Sequence, residues 1–192
     1  MNDIFLQKRA DYYNNTFPDY PPLIATDKFI YGMWMLGQNY KGSGFYGAYP
    51  PSYIKRVMSM FPDVDAENIL HLFSGSLTSD VKGDRFDINP ELNPDIVGDA
   101  EHLSQYINKK YNLILADPPY TEEDASKYGY SMVGRHKVFK ECEKVLKKGG
   151  FLIWLDQICP MWKKDILEMC ITIGIIRSSN HRFRVVTGFK KV

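Results

Sequence analysis

The chain has 192 residues, of which 44% are hydrophobic and 24% are charged, and its formal net charge is +1. This composition is typical of one globular domain with a single core, and it excludes a membrane protein because no stretch approaches the roughly 18 apolar residues of a membrane span. The three cysteines form no close pair, which excludes a disulfide framework and a Cys-x-x-Cys zinc site, so we expect a soluble cytoplasmic protein without a metal.

Aromatic residues interleaved with glycine and proline dominate the first sixty positions. This composition predicts an irregular arm, residues 1–62, that packs on the remainder of the same domain. Within the arm, Ile54, Val57, Met58 and Phe61 recur at helical spacing. They predict one short amphipathic helix over residues 51–61.

Short apolar runs separated by polar stretches follow the arm, as expected for strands of a parallel sheet that are buried on both faces. They lie at 69–73, 86–88, 96–97, 111–116 and 151–155. A helix is predicted over 135–147, closed by Gly149 and Gly150, and two further strands at 171–177 and 183–189 would form a terminal hairpin. The alternation of predicted strands and helices along the chain predicts a three-layer α/β sandwich around a doubly wound, mostly parallel sheet. Residues 63–192 would form its catalytic core.

The most specific motif is the tetrapeptide Asp117, Pro118, Pro119 and Tyr120, which directly follows the apolar run 111–116. Open α/β sheets bind ligands at the carboxyl ends of their strands, so the motif lies where an active site is expected. An exocyclic amine on a nucleic-acid base is a poor nucleophile because its lone pair is delocalised into the ring. We expect the Asp117 carboxylate and the Pro118 carbonyl each to accept one N–H of such an amine, which directs the lone pair at a methyl group.

The other half of the tetrapeptide has supporting roles in this interpretation. Pro119 would keep the turn rigid, and Tyr120 would stack on a base swung out of its helix. A plain strand-ending turn is the alternative, since Asp and Pro both favour turns.

Three further segments predict a cofactor pocket. A small-residue loop follows the first apolar run and would let the backbone approach a cofactor closely. Asp87 ends the next run, where an acidic residue can accept ribose hydroxyls, and Asp99 follows the third run, where it would contact an adenine. The candidate cofactor residues in these segments are Phe73, Ser74, Gly75, Ser76, Asp87, Ile88, Asp99 and Ala100.

The order of these motifs resembles that of the amino-methylating DNA methyltransferases, the adenine and cytosine amino-group enzymes that share an Asp-Pro-Pro-Tyr-type motif. The resemblance covers about residues 45–192, and the tetrapeptide is its most specific part. It implies a Rossmann-like class I methyltransferase fold with S-adenosylmethionine (SAM) as the cofactor. It also implies that the segment 45–51, which includes Tyr49 and Pro50, closes over the methionine end of SAM.

Three features depart from that family pattern. Leu77 stands where the usual cofactor loop has its second glycine, which implies a different loop geometry. Only twelve positions separate Gly75 from Asp87, and twelve separate Asp87 from Asp99, so we expect the first two crossover helices to be shortened or missing. No segment after Asp117 is long enough for a separate target-recognition domain, so the chain would bind nucleic acid with loops, use a protein partner or act on another substrate.

Charge is distributed unevenly along the chain. Residues 1–100 carry 8 Lys and Arg against 13 Asp and Glu (8 − 13 = −5), whereas residues 101–192 carry 16 against 10 (16 − 10 = +6). A basic half would suit nucleic acid, because Lys and Arg contacts to phosphates supply most non-specific affinity, although an uneven solvated surface explains the same numbers. The candidate nucleic-acid contacts are Tyr128 and Tyr130 after the tetrapeptide, and Arg177, Arg182 and Arg184 around the final turn.

The sequence therefore predicts SAM-dependent methyl transfer to an exocyclic amino nitrogen of a nucleic-acid base, with adenine in DNA ranked first. An RNA guanine amino-methyltransferase is the nearest alternative, because small enzymes of that kind resemble this chain in having a similar tetrapeptide and no recognition domain. A non-catalytic nucleic-acid-binding or regulatory module with the same fold is the alternative from another class. Leu77 and the short crossovers favour that module, and the intact tetrapeptide opposes it.

Overall fold

The computed structural model describes residues 4–37, 49–50, 52–127, 129–177 and 183–192. The helices are α1 (Ile4–Thr16), α2 (Tyr53–Ser59), α3 (Leu103–Tyr106), α4 (Glu122–Lys127) and α5 (Arg135–Val145), with short 3-10 helices at Ala66–Asn68, Pro90–Leu92 and Ala100–His102. The strands are β1 (Ile24–Ala25), β2 (Ile30–Leu36), β3 (Ile69–Leu72), β4 (Asp84–Asp87), β5 (Ile96–Val97), β6 (Tyr111–Ala116), β7 (Leu146–Asp156), β8 (Leu167–Arg177) and β9 (Phe183–Lys191). No helix in these ranges has the length and apolarity needed to cross a membrane.

The strands form one sheet in the order β1-β2-β8-β9-β7-β6-β3-β4-β5. Strands β3 to β7 pair in parallel, with Leu72 opposite Ala116 and Ala116 opposite Trp154. Strand β9 is antiparallel to both β7 and β8, which makes the carboxyl-terminal hairpin. The predicted fold class, a mostly parallel sheet with this hairpin, is confirmed. The chain order reverses between β3 and β6, and such a switch point opens a ligand crevice at the carboxyl ends of the strands.

Two buried clusters cover the two faces of the sheet and complete a three-layer sandwich. On one face, α1 and α2 pack on the sheet through residues such as Tyr13, Tyr53 and Phe61. On the other face, α3 and α5 contribute Leu103 and Val138.

The amino-terminal segment is not the irregular arm that its composition predicted. Helix α1 buries Leu6, Ala10 and Tyr13 at helical spacing. Strand β2 adds to the sheet by parallel pairing with β8, beginning at Ile30 opposite Ile171. This partner is distant in sequence, so the local pattern does not reveal the strand. The short helix predicted over 51–61 is confirmed as α2.

The helix predicted over 135–147 ends earlier than expected. Helix α5 stops at Val145, and Leu146 already pairs with β6 as the first residue of β7. The glycines lie inside that strand and do not close the helix. Gly149 adopts a φ of 76°, and a Cβ on Gly150 would lie 2.9 Å from the Asn112 carbonyl oxygen, so both positions require glycine.

The shortened crossovers are confirmed. Residues 73–83, between β3 and β4, contain no helix, and the connection from β4 to β5 has only the 3-10 turn Pro90–Leu92. Arg85 ties these short connections together, because its backbone and guanidinium N–H groups donate to Asp95 at 2.9–3.1 Å. Its Nη1 also donates to the Leu77 carbonyl at 3.0 Å. Polar contacts therefore fix loops that full helices would otherwise cover.

The alternating burial along β2 provides a test of its place in the core. Trp34 is 1% exposed and Met35 is 72% exposed on the opposite face. We expect Trp34→Ala to lower the free energy of unfolding by about 3–5 kcal/mol, because it leaves a cavity. Met35→Ala, the matched control on the same strand, should change it by about 0.5 kcal/mol or less. Equilibrium urea denaturation measures both free energies of unfolding. Equal losses in the two variants would contradict the observation that Trp34 faces the core and Met35 faces solvent.

Candidate active site

A cavity of about 250 Å³ lies at the carboxyl ends of β3, β4, β5 and β6. Its volume is close to the lower end of the range for small-molecule pockets, about 300–1,000 Å³. It brings together residues that are far apart in sequence. The predicted site residues that line it are Phe73, Gly75, Asp87, Ile88, Asp99, Ala100, Asp117, Pro119 and Tyr130.

Other predicted cofactor residues lie outside this cavity. Tyr49, Pro50 and Ser76 line a second, more open cavity of about 1,220 Å³ beside α2 and the loop after β3. Ser74 is buried and lines neither cavity. Burial raises the pKa of the Tyr49 hydroxyl well above the usual value, and the charges of Asp117 and Asp87, which line the smaller cavity, raise it further.

Asp87 holds the loop that follows β3. Its Oδ2 accepts the Gly75 N–H at 2.8 Å, and its Oδ1 accepts the Asn89 N–H at 3.0 Å. Gly75 has a φ of 54°, in the left-handed region that glycine adopts readily. Each carboxylate oxygen has about two lone-pair sites, so Asp87 retains capacity for two further donors from the cavity.

Asp99 and Glu101 form the wall opposite that loop. Asp99 Oδ1 accepts the Glu101 N–H at 2.8 Å and so caps the 3-10 helix that begins at Ala100. Glu101 reaches the segment before α5, accepting the Gly134 N–H at 2.6 Å and the Lys137 Nζ at 2.7 Å. These contacts, that of Lys137 first, lower the pKa of Glu101, which therefore remains an anionic acceptor.

The tetrapeptide leaves β6 with its aspartate and tyrosine in contact. The Tyr120 hydroxyl donates to Asp117 Oδ1 at 2.5 Å. Burial raises the pKa of Tyr120 well above its usual value, and the charge of Asp117 raises it further, so the phenol remains a proton donor. Arg184 from β9 lies over the Tyr120 ring, with its Cζ 4.6 Å from the ring centroid. The tyrosine therefore orients the aspartate, a role that the sequence did not suggest.

The candidate nucleic-acid contacts are only partly within the described ranges. Tyr130 is half-buried in the cavity wall, and Arg184 is 8% exposed beside Tyr120. Arg177 ends β8, and only its backbone is described. Tyr128 and Arg182 lie outside the described residues.

Several residues at the site escaped the sequence interpretation. The Tyr53 ring stacks on Tyr49 with centroids 5.3 Å apart, and burial followed by the charge of Asp117 raises the pKa of Tyr53. Within the described residues, the hydroxyls of Tyr49, Tyr53 and Ser74 have no hydrogen-bond partner. In the sequence, Tyr53 is one of many aromatic residues of the predicted arm, and no local signal pointed to the site. Glu101 adjoins Ala100, but its partners are more than thirty positions away.

Comparison with known proteins gives a match at the level of the fold. No protein-family model and no curated protein matches this sequence. The solved structure of TrmN from Thermus thermophilus is 13% identical to this chain, with a TM-score of 0.51. The match covers 76% of this chain and 50% of TrmN, so this chain spans about half the length of TrmN. An rRNA methylase from Streptococcus thermophilus and a Streptococcus mutans methyltransferase solved with SAH each give 11% identity and a TM-score of 0.43, over 67% of this chain and 89% of theirs.

The likeness to TrmN agrees with the strand order in the part of the chain that the structure describes. Five parallel strands are followed by an antiparallel hairpin whose last strand, β9, inserts between β7 and β8. The chain therefore has the Rossmann-like fold of the class I methyltransferases.

Proposed function

We propose that this protein transfers a methyl group from SAM to an exocyclic amino nitrogen of a nucleic-acid base, with adenine in DNA as the first substrate to test. One observation carries the proposal: a single cavity is lined by Asp87 at the end of β4, by Asp99 after β5 and by Asp117 at the start of the tetrapeptide. The candidate cofactor residues and Asp117, one of the two proposed amine acceptors, thus line the same cavity.

The residues of the cavity fit SAM chemically. Asp87 would accept the ribose hydroxyls and Asp99 the adenine amine, since carboxylates accept hydrogen bonds from both donors. Apolar side chains such as Ile88 and Val133 line the same space and suit the faces of an adenine ring. When bound, SAM supplies an electrophilic methyl group on a positively charged sulfonium. The carboxylates of Asp87 and Asp117 make the local charge favourable for that cation.

The tetrapeptide would prepare the amine for attack. Asp117 and the Pro118 carbonyl would each accept one N–H, which withdraws the nitrogen lone pair from conjugation and directs it at the methyl group. The Tyr120 hydroxyl donates to Asp117 Oδ1 and so orients the carboxylate that would accept the amine N–H. The amine loses a proton after transfer, and solvent or Asp117 can accept it.

Arg184 is the best-placed contact for the nucleic-acid backbone. Its guanidinium is nearly buried against Tyr120, and no acceptor for its Nε lies among the described residues. A phosphate beside the target base would give this buried cation an anionic partner. Adenine in DNA and guanine in RNA both carry an exocyclic amine, so the same acceptors serve either base.

Cofactor binding separates the roles of the two aspartates. We expect Asp87→Ala to weaken SAM binding about 10- to 100-fold, because hydrogen bonds to charged groups contribute about 1.5–3 kcal/mol. Asp87→Asn should lose less, since its amide oxygen remains an acceptor. Isothermal titration calorimetry with SAM and SAH measures this. If the folded wild-type protein binds neither compound, the non-catalytic module is the better interpretation.

The rate of methyl transfer tests the proposed role of Asp117 in the tetrapeptide. We expect Asp117→Ala to reduce methyl transfer about 100- to 1,000-fold, the usual cost of removing one preorganised polar group, while the Kd for SAM changes less than about twofold. Glu122→Ala, an exposed carboxylate nearby, is the control and should keep full activity. The assay follows labelled methyl from SAM into DNA and RNA, and mass spectrometry of the nucleosides identifies the base. Equal loss of SAM binding in the Asp87 and Asp117 variants would contradict the assignment of separate roles.

Salt dependence tests the backbone contact. Arg184→Gln should weaken binding to oligonucleotides of any sequence and reduce the slope of log K against log salt concentration by about one. Lys190→Gln is the control because it removes a cation from the same strand, six residues from Arg184, where Lys190 pairs with Phe151 of β7. Fluorescence anisotropy at several salt concentrations measures both variants. An unchanged slope for Arg184→Gln would remove this residue from the nucleic-acid interface.

A further inference from the structure

Arg135, the first residue of α5, connects three elements at the carboxyl edge of the sheet. Its Nη2 donates to the Tyr120 carbonyl at 2.8 Å, at the end of the tetrapeptide. Its Nε and Nη2 donate to the two carboxylate oxygens of Asp156 at 2.6 and 3.2 Å, at the end of β7. One side chain therefore links the loop after β6 to the neighbouring strand.

Asp156 provides a fixed support for this arginine. Its side chain is 0% exposed, and it also accepts the Gln157 N–H at 2.7 Å and the Trp154 Nε1–H at 3.3 Å. Asp156 pairs with Val185 of β9, and its strand also pairs with β6. Because β7 is paired with a strand on each side, the sheet holds the backbone that carries this carboxylate.

Stability alone gives a weak reason to bury such a pair. The desolvation cost of a buried ion pair often equals its coulombic gain, and apolar replacements are frequently as stable. Arginine, however, has a planar fork of five N–H donors that can hold a carboxylate and a carbonyl at once, which a lysine ammonium does with much poorer geometry. Arg135 uses the Nε and Nη2 donors of that fork to hold both groups at once, so its specific contribution is geometric.

The position of Tyr120 determines the position of the Asp117 carboxylate. Pro118 and Pro119 have fixed φ angles, so the four-residue turn has few ways to adjust. Its first residue, Asp117, is fixed by β6, and its last residue is fixed through the carbonyl bond to Arg135. The Tyr120 hydroxyl then returns to Asp117 Oδ1. Moving the carbonyl would move the phenol and, with it, the carboxylate.

We infer that Arg135 and Asp156 are positioning residues that hold the tetrapeptide in the geometry needed for amine activation. The structural part of this inference, that the pair orders residues 117–121, is independent of the reaction. The part concerning turnover rests on the proposed function.

Hydrogen exchange tests the structural part without any cofactor or substrate. In Arg135→Lys and Asp156→Asn, the amides of Asp117, Tyr120 and Thr121 should exchange on the order of tenfold faster than in the wild type, whereas amides of β3 and β8 keep their protection. Arg9→Lys is the matched control, because the buried Arg9 pairs with Asp63 and lies over the ring of Phe151, five residues before Asp156 on β7. Unchanged exchange of 117–121 in both test variants would overturn the inference, as would equal acceleration in the control.

Measuring the Kd for SAM and the single-turnover rate separately tests the functional part of the inference. In both variants the single-turnover rate at saturating SAM should fall about 100-fold, the scale expected for a misplacement of about 1 Å, while the Kd for SAM changes less than about twofold. A mere loss of folding would reduce SAM binding and rate together, and that result would also overturn a positioning role. Absence of SAM binding or methyl transfer in the wild type would refute the proposed function and leave the exchange result to decide the ordering of the segment.

Discussion

The parallel pairing of β6 with β3 on one side and with β7 on the other determines where the candidate site of this protein lies. Parallel strands end at the same edge of a sheet, so the residues that follow them meet even when they are distant in sequence. Asp87, Asp117 and Asp156 each occupy the end of such a strand or the next position. The topology thus gathers three carboxylates along one edge.

These carboxylates are stabilised by different sets of donors. Asp87 accepts backbone N–H groups, Asp117 accepts a phenol, and Asp156 accepts a guanidinium. The differences match separate tasks, because backbone donors fix a loop, a phenol fixes an orientation, and a guanidinium can extend its contacts to a third group. The negative charge at this edge also keeps the neighbouring tyrosines Tyr49 and Tyr120 protonated, since it raises the pKa of each beyond the effect of burial.

Features that depend on neighbouring residues could be predicted from the sequence, whereas features that depend on contacts between distant residues could not. The strands around 69–73, 111–116 and 151–155 were found because strands buried on both faces are continuously apolar. Strand β2 was missed because Tyr31, Met33 and Met35 are apolar yet exposed, which removes the alternation that marks a half-buried strand. Helix α1 was missed because polar residues surround its few buried positions.

The same distinction applies to the site. Asp87, Asp99 and Asp117 were predicted because each follows an apolar run, and the sheet brings all three to one cavity. Arg135 and Asp156 were not, because their relation to the tetrapeptide exists only after β7 has paired beside β6. The residues next to Arg135 and Asp156 in the sequence therefore form no pattern that indicates their contact with the tetrapeptide.

Leu77, the departure that favoured a non-catalytic module, has a different meaning in the folded chain. Its N–H donates to the Ser74 carbonyl at 3.1 Å, so the loop closes on itself as a turn without a second glycine. Its own carbonyl accepts Arg85, which also pairs with Asp95 before β5. Gly75 is held separately by Asp87. A second glycine would give this loop flexibility that these contacts make unnecessary, and the substitution therefore gives no support to a loss of cofactor binding.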